Sequence, residues 1–159
     1  MESKTTKKNI VLVVDRISSR NNVNIYTDTL EFTSNVYYSA FEKAIKNTNR
    51  NYYVYNSLEE FINNINRHKN DIVFSAIWSG TLSRNRKSLV SAICESYNIE
   101  YIGADVYVQT ICQDKYLSKL FCKDYKIEIP KGYIFDNINN LEVIKSLNFP
   151  LIIKPNCEG

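Results

Sequence analysis

The sequence predicts an α/β fold built on a doubly wound, mainly parallel β-sheet. Short apolar runs alternate along the chain with segments whose apolar residues recur at helical spacing. A single helix between consecutive strands implies right-handed crossovers, which make the connected strands parallel. The chain has 159 residues, of which 44% are hydrophobic, so it is long enough for one domain, or for one domain and part of a second.

Four apolar runs are predicted to be the strands of this sheet. Residues 9–15 (NIVLVVD) form a continuous apolar run that ends at an acid, a pattern typical of a strand buried on both faces. Residues 71–77 (DIVFSAI) have the same character, and shorter runs occur at 52–56 (YYVYN) and 99–104 (IEYIGA).

Three amphipathic helices are predicted between these strands. The first places an apolar stripe within residues 36–45. The second begins at Ser57, because Ser57 and Glu60 have the spacing of a capping box. The third lies within residues 89–97, where the apolar side chains again share one face.

Beyond the fourth strand the pattern changes, and a second unit is predicted. One long helical stretch is expected over residues 104–127, ending before Pro130 because the residue ahead of a proline resists helix. A strand is then expected at 131–137, a helix at 138–148 and a strand at 150–156. The last strand needs neighbours, unless it lies at the edge of a sheet.

Composition and charge exclude several classes of protein. The net charge of +3 is too small and too scattered to indicate a nucleic-acid partner. No apolar run approaches the length of a membrane span and the N-terminus lacks a signal sequence, so we expect a cytoplasmic protein with no membrane partner. The four cysteines show no C-x-x-C pairing, and we expect reduced thiols rather than a metal site. His68 lies at the polar end of a predicted helix, and we expect it at the surface rather than as a ligand.

Several spaced motifs carry the functional signal. In chain order they are Tyr101-x-Gly103, Asp114-Lys115-x-x-Ser118-Lys119, Ile127 to Pro130, and Phe149 to Pro155 followed by Glu158 and Gly159. In this order they closely resemble the segment of the D-alanine-D-alanine ligases, within the ATP-grasp superfamily, that joins the N-terminal domain to the ATP-binding domain. The resemblance covers residues 70–159, and the preceding part is similar only in its βαβ layout.

The resemblance implies both a domain organisation and an activity. Residues 1–103 would form a pre-ATP-grasp α/β domain, and residues 104–159 the linker helices and the first α+β segment of an ATP-grasp domain. Family members use ATP and magnesium to activate a carboxylate of a small-molecule substrate as an acyl phosphate, which an amine then attacks. The magnesium carboxylates and the closing arginine of the family have no counterpart here. We therefore expect the isolated chain to be inactive, and to need a missing C-terminal half or a homodimer partner.

The same resemblance assigns candidate binding residues. Lys115 and Lys154 would be the two lysines that reach the nucleotide, while Glu158 and Gly159 would begin the loop over its phosphates. A lysine at the end of a buried strand is a rigidly placed point charge for an anion, and we expect Lys154 in such a position. No catalytic residue and no metal ligand is assigned.

The N-terminal part departs from the family pattern. Where the family has a glutamate ahead of the first helix, this chain has Thr29, with Glu31 two residues away. An acidic loop after the third strand is replaced by one that contains Arg84, Arg86 and Lys87. Two interpretations stay open: this loop binds a carboxylate or phosphate of a different substrate, or it is a solvated surface loop.

Other functions remain as alternatives. The chain could be a stand-alone, non-catalytic binding or regulatory module with a ligand cleft at the carboxyl ends of its strands. A receiver-like or flavodoxin-like domain is disfavoured because Asp15 has no acidic companions and no phosphate-type loop follows the first strand. A dinucleotide fold is disfavoured because the four glycines include no G-x-G-x-x-G. A natural truncation, an engineered fragment and half of a split enzyme fit the sequence equally.

Overall fold

The computed structural model describes residues 7–15, 35–77, 85–135 and 147–157, together with residues 137, 142, 144 and 145. A sheet of four parallel strands in the order β2-β1-β3-β4 forms its centre. The strands are β1 (Ile10–Val14), β2 (Tyr52–Tyr55), β3 (Ile72–Ala76) and β4 (Glu100–Ile102). The predicted α/β fold with a parallel sheet is therefore confirmed.

Strand β1 lies at the centre because its side chains are apolar on both faces. Residues 11–14 are fully buried, and β1 pairs with β2 on one side and with β3 on the other. Val11 and Val13 pack in one hydrophobic cluster, whereas Leu12 and Val14 pack in another. This alternation is the period of two that a strand imposes on its side chains.

The helices cover both faces of this sheet. Their bounds are α1 (Asn35–Lys46), α2 (Leu58–Asn64), α3 (Leu89–Ser96), α4 (Val106–Gln113) and α5 (Lys115–Asp124), with short 3-10 helices at Ile65–His68 and Arg86–Ser88. Ile45 of α1 packs with Leu12 on one face, whereas Phe61 of α2 and Val90 of α3 pack with Val11 on the other. Within the described ranges, no helix is long and apolar enough to cross a membrane.

The N-terminus of α2 confirms the predicted cap, with one difference. The Ser57 hydroxyl accepts a hydrogen bond from the Glu60 amide at 3.1 Å. The Glu60 carboxylate accepts from the amide of Asn56 at 2.8 Å, one residue before the cap. Both bonds satisfy amides at the chain's entry to the helix, where no preceding turn supplies an acceptor.

The single long helix predicted over residues 104–127 is wrong, because the chain forms two helices there. Asp114 separates α4 from α5 with an extended backbone (φ −89°, ψ 103°). Its side chain accepts hydrogen bonds from the amides of Tyr116 and Leu117. A short acidic side chain competes in this way with helix continuation, so apolar periodicity passes through a point where the backbone breaks.

The two later strands are also predicted wrongly. Residues 131–135 and 150–156 pair with no strand in the part of the chain that the structure describes, although their composition favours strand. Ile152 and Ile153 are 89% and 90% exposed. Strands are stabilised by backbone pairing with neighbours, and apolar composition alone does not supply a neighbour. The helix predicted at 138–148 lies mostly outside the described residues.

Candidate functional site

Three segments distant in sequence meet at the N-terminus of α5. We call this meeting point the junction; it consists of residues 86–88, 113–116 and 155–157. Each pair of segments is linked by at least one hydrogen bond. The junction therefore joins the turn before α3, the break between α4 and α5, and the segment that follows Lys154.

Asp114 and Asn156 together close the N-terminus of α5. The Asp114 carboxylate accepts from the amides of Leu117 at 2.9 Å and Tyr116 at 3.1 Å. The Asn156 side chain accepts from the Tyr116 amide at 2.9 Å through Oδ1, and its Nδ2 donates to Asp114 at 2.7 Å. Amides that would lack an intrahelical acceptor thus gain two side-chain acceptors, one of which comes from 42 residues further along the chain.

The junction also fixes Lys115, the first predicted nucleotide lysine. Its Nζ donates to the carbonyl oxygens of Pro155 at 3.0 Å and Asn156 at 3.3 Å. Its backbone amide donates to the Asn156 carbonyl at 3.2 Å. Because Pro155 directly follows Lys154, the structure brings Lys115 against the backbone beside the second predicted lysine.

Lys154 itself does not lie where the sequence places it. We expected it at the end of a buried strand, but it is exposed, and the segment before it pairs with no strand. What holds this segment is its contact with the N-terminus of α5, through Asn156. Lys154 therefore lies next to a segment that is held by the N-terminus of α5, and not at the end of a buried strand.

Arg86 is buried, so the interpretation of its loop as solvated surface is wrong at this residue. The Arg86 side chain is 4% exposed, and its Nη2 donates to the Cys157 carbonyl at 3.4 Å. The neighbouring Lys87 amide donates to Oε1 of Gln113 at 3.3 Å. The short 3-10 helix Arg86–Ser88 packs against α4, and the Arg86 guanidinium is removed from solvent.

Four of the predicted site residues lie outside the described residues: Glu31, Arg84, Glu158 and Gly159. Gln113, by contrast, is a residue that the sequence prediction missed. It is 6% exposed, and its Nε2 has no hydrogen-bond partner in the part of the chain that the structure describes. The sequence offered no signal for it, because Gln113 lies in the middle of the single helix predicted over residues 104–127.

The other residues of the lysine motif also have structural contacts. The Ser118 hydroxyl donates to the carbonyls of Ile111 at 2.6 Å and Asp114 at 3.0 Å, which ties α5 to the last turn of α4. Lys119 reaches Gly132, where an added Cβ would lie 2.7 Å from its Nζ, the flexible end of the lysine side chain. The motif thus holds two helices together as well as presenting Lys115.

The strand end Tyr101-x-Gly103 also has a physical explanation. The Tyr101 hydroxyl donates to Glu95 at 2.6 Å, and this bond raises the pKa of Tyr101 to about 12. Gly103 has a φ of 132°, a conformation that disfavours any residue with a Cβ.

A shallow cavity of about 620 Å³ nearby is lined by Glu95 and Asp105 and contains none of the predicted site residues. Two carboxylates are unsuited to phosphate, so we place the candidate site at the junction.

His68 is buried, so its predicted surface position is wrong. It is 1% exposed, with Nε2 2.6 Å from the Tyr55 hydroxyl and Nδ1 2.8 Å from Asp71. With a hydrogen on Nδ1, the ring donates to Asp71, and Nε2 can accept from the Tyr55 hydroxyl. Asn9 donates to the other Asp71 oxygen at 2.9 Å, so the network joins β1, β2 and β3. The polar residues around His68 led to the prediction that it is exposed, although Asp71, three residues later, was an available partner.

The thiols and carboxylates give no metal centre in the described ranges. There, no group of three or more histidine, cysteine, aspartate or glutamate side chains is arranged to hold a metal ion. All four cysteines are free. Burial raises the pKa of the Cys94 thiol to about 12, so this thiol is a packing group.

Curated proteins similar to this chain are D-alanine-D-alanine ligases. That of Thermotoga petrophila is 30% identical over 119 residues, which cover 74% of this chain and 37% of the ligase. Ligase A of Bacillus cereus is 33% identical over 72 residues, or 44% of the chain and 24% of that protein. The ligase of Helicobacter pylori strain HPAG1 is 32% identical over 72 residues, covering 44% of the chain and 21% of that protein. No protein-family model matches the chain.

Solved structures of a related enzyme share the fold. The D-alanine-D-alanine ligase of Bacillus anthracis superposes with a TM-score of 0.63 at 22% identity, over 96% of this chain and 47% of that one. A second structure of that ligase, complexed with ATP, superposes with a TM-score of 0.58 at the same identity. The chain spans 37% of the length of the first curated relative. The chain is therefore D-alanine-D-alanine ligase-like, and its partial coverage of these enzymes fits their N-terminal part.

Proposed function

We propose that the chain is the N-terminal portion of an ATP-dependent carboxylate-amine ligase and that the junction holds nucleotide phosphates. The observation that carries this proposal is the contact of Lys115 with the backbone directly after Lys154. It supports a site in which two ammonium groups, contributed by separate motifs, lie beside one ligand. The proposed organisation is an α/β domain at residues 1–103 and the start of an ATP-binding domain at 104–159.

The chemistry of these side chains fits phosphate. An ammonium group is a compact charge with three donors, and a hydrogen bond to a charged group contributes about 1.5–3 kcal/mol. Lys115 donates to two carbonyl oxygens, which fix the position of its ammonium charge within the junction. Glu158 and Gly159 are proposed to begin the loop that covers the phosphates.

The cofactors have separate places in this proposal. When bound, ATP supplies the phosphoryl group that activates a carboxylate for attack by an amine. Lys115 and Lys154 would bind and orient its phosphates. For magnesium, the described residues offer no group of three suitable ligands, so no residue of this chain is assigned to the metal.

A direct test is titration of the 159-residue chain with ATP, followed by calorimetry and amide chemical shifts. Because the chain spans 37% of its first curated relative, we expect weak binding, with a Kd above micromolar, and no turnover. Lys115→Ala and Lys154→Ala should each weaken binding by about tenfold, the equivalent of one charged hydrogen bond. Lys69→Ala, at an exposed lysine outside the junction, is the matched control. A sub-micromolar Kd would show that the nucleotide site is complete without further residues.

A fusion experiment distinguishes the ligase from the alternative, a non-catalytic binding or regulatory module. The chain would replace the corresponding part of the Thermotoga petrophila ligase, so that the fusion contains the remainder of that enzyme. We expect ATP hydrolysis to become dependent on a carboxylate substrate. If the fusion folds and binds ATP but remains silent across a panel of carboxylates, the module is the better account. A homodimer that completes the site would instead appear as activity of the unfused chain that rises with its concentration.

The basic replacements after β3 support a change of first substrate. Two positive charges 4 Å apart repel by about 4 kcal/mol at an effective dielectric of 20, so Arg84 would disfavour a nearby substrate ammonium. Arg86 is buried in the junction, where it donates to the Cys157 carbonyl, and is not assigned to this role. We propose that the first substrate is anionic, or lacks a free amine where it meets Arg84, and that Glu31 is a substrate-binding residue. The fusion protein should prefer carboxylate-rich or peptide substrates to D-alanine. Efficient joining of two D-alanines, unchanged by Arg84→Ala, would contradict this preference.

A further inference from the structure

Asn156 is linked to the lysine motif by hydrogen bonds of both its side chain and its backbone. Its side chain accepts from the Tyr116 amide and donates to Asp114. Its carbonyl accepts from both the amide and the ammonium of Lys115. All of these contacts point to the first turn of α5, so one residue connects the two segments that carry the predicted lysines.

We propose that Asn156 is a positioning residue, which holds Lys115 and Lys154 at a fixed separation for a phosphate ligand. This inference rests on the proposed nucleotide site. The amide side chain is needed because it uses a donor and an acceptor at once, a combination that a carboxylate or a methyl group does not offer. Pro155 lies between Asn156 and Lys154, and its ring fixes the backbone φ, so the anchor also restrains where Lys154 begins.

The exposure of the surrounding segment explains why such an anchor matters. Ile152 and Ile153 are almost fully exposed, and no strand pairing holds them. Without the Asn156 side chain, the ordering of this segment would have to be supplied by the ligand, which lowers affinity. With it, the carbonyls of Pro155 and Asn156 are already directed at the Lys115 ammonium.

The first test needs no ligand. Reductive methylation, read by peptide mass spectrometry, reports how available each lysine ammonium is. In the wild-type chain Lys115 should react more slowly than the exposed Lys69, and Asn156→Ala should remove that difference. Asn63→Ala, at an exposed asparagine of α2, should leave it unchanged. Equal Lys115 reactivity in the wild type and in Asn156→Ala would overturn the positioning role.

The second test uses inorganic tripolyphosphate and ATP as probes. Asn156→Ala should weaken binding by about tenfold, close to the loss of one lysine contact. If Asn156 acts by fixing the separation of the two lysines, its replacement should weaken binding far less in the Lys115→Ala and Lys154→Ala backgrounds than in the wild type. A full tenfold loss in both backgrounds would show a general structural effect and would overturn the proposal.

The Asn156→Asp variant distinguishes loss of the amide group from unfolding of the chain. It keeps the acceptor for Tyr116 but places a second carboxylate against Asp114, so we expect affinity between those of the wild type and Asn156→Ala. Binding by Asn156→Asp equal to the wild type would contradict the need for the amide. If the wild type binds neither probe, the proposed nucleotide site fails, whereas the methylation experiment still decides whether Asn156 positions Lys115.

Discussion

Individual side chains in this protein take their roles from partners that are distant in sequence. Lys115 is held by carbonyls 40 and 41 residues away. His68 is held by Tyr55, the last residue of β2, and by Asp71, which directly precedes β3. The ring is buried between them. In both cases a polar group is fixed because each of its hydrogen-bonding atoms has a defined partner.

Replacement of His68 should be costly. His68→Ala leaves the Tyr55 hydroxyl and the Asp71 carboxylate buried without their shared partner, so we expect a loss of about 2–4 kcal/mol in the free energy of unfolding. Urea denaturation followed by circular dichroism measures this. Asn66→Ala, at an exposed position in the same 3-10 turn, is the control and should change stability by less than about 0.5 kcal/mol. A similarly small change for His68→Ala would show that the network is not stabilising.

The Cys94 thiol should be unreactive and should make folding sensitive to high pH. Its pKa rises from 9.0 to about 12 because burial disfavours the thiolate. The folded state therefore holds this proton more tightly than the unfolded state, and the associated stability is complete below pH 9 and lost as pH rises toward 12. We expect iodoacetamide at pH 8 to label the exposed Cys112 and spare Cys94, as read by mass spectrometry. Rapid labelling of Cys94 in the folded chain would contradict this.

At the scale of elements, the break between α4 and α5 determines the geometry of the candidate site. Asp114 ends one helix and caps the next, so the first turn of α5 faces residues 155–157 instead of continuing the axis of α4. The Ser118 hydroxyl then bonds back across the break to Ile111. An uninterrupted helix would have no free N-terminus there for Asn156 to cap.

Ser118→Ala should loosen this pair of helices. It removes the hydroxyl that contacts the carbonyls of Ile111 and Asp114, and we expect a loss of about 1 kcal/mol in stability. The matched control is Ser96→Ala, because the Ser96 hydroxyl bonds only within its own helix, to Ala92 at 2.8 Å. Chemical denaturation of both variants gives the comparison. Equal effects would mean that the bridge between α4 and α5 contributes nothing specific.

The elements that could be predicted from the sequence are those determined by local pattern and burial. β1 and β3 read as strands because their runs are apolar on both faces, and α2 because Ser57 and Glu60 mark its start. The strand at 150–156 failed because pairing depends on a neighbour that composition does not reveal. Lys115 and Lys154 could be chosen by resemblance, but Asn156 and Gln113 could not, since their roles exist only where separate segments meet.

At the scale of the whole molecule, protection from solvent should be uneven. β1 is fully buried and hydrogen-bonded to strands on both sides, whereas residues 150–156 pair with none. We expect the slowest amide hydrogen exchange in β1 and β3, and rapid exchange after residue 126, except at amides held by the junction. Mass spectrometry of peptides after timed exchange measures this. Comparable protection in the first 103 residues and in the remainder would contradict the proposed division into two units.

The exposed apolar segment near residue 152 has a consequence for colloidal behaviour. Phe149, Ile152 and Ile153 present nearly their whole side chains to water, and aromatic and β-branched residues favour strand pairing between copies at high concentration. Pro150 and Pro155 bracket the run, and neither has an amide hydrogen to donate to an added strand. Lys154 adds charge repulsion between like copies. Residues that oppose strand pairing thus lie at both ends of this exposed apolar run. They limit any intermolecular β-pairing to a few residues.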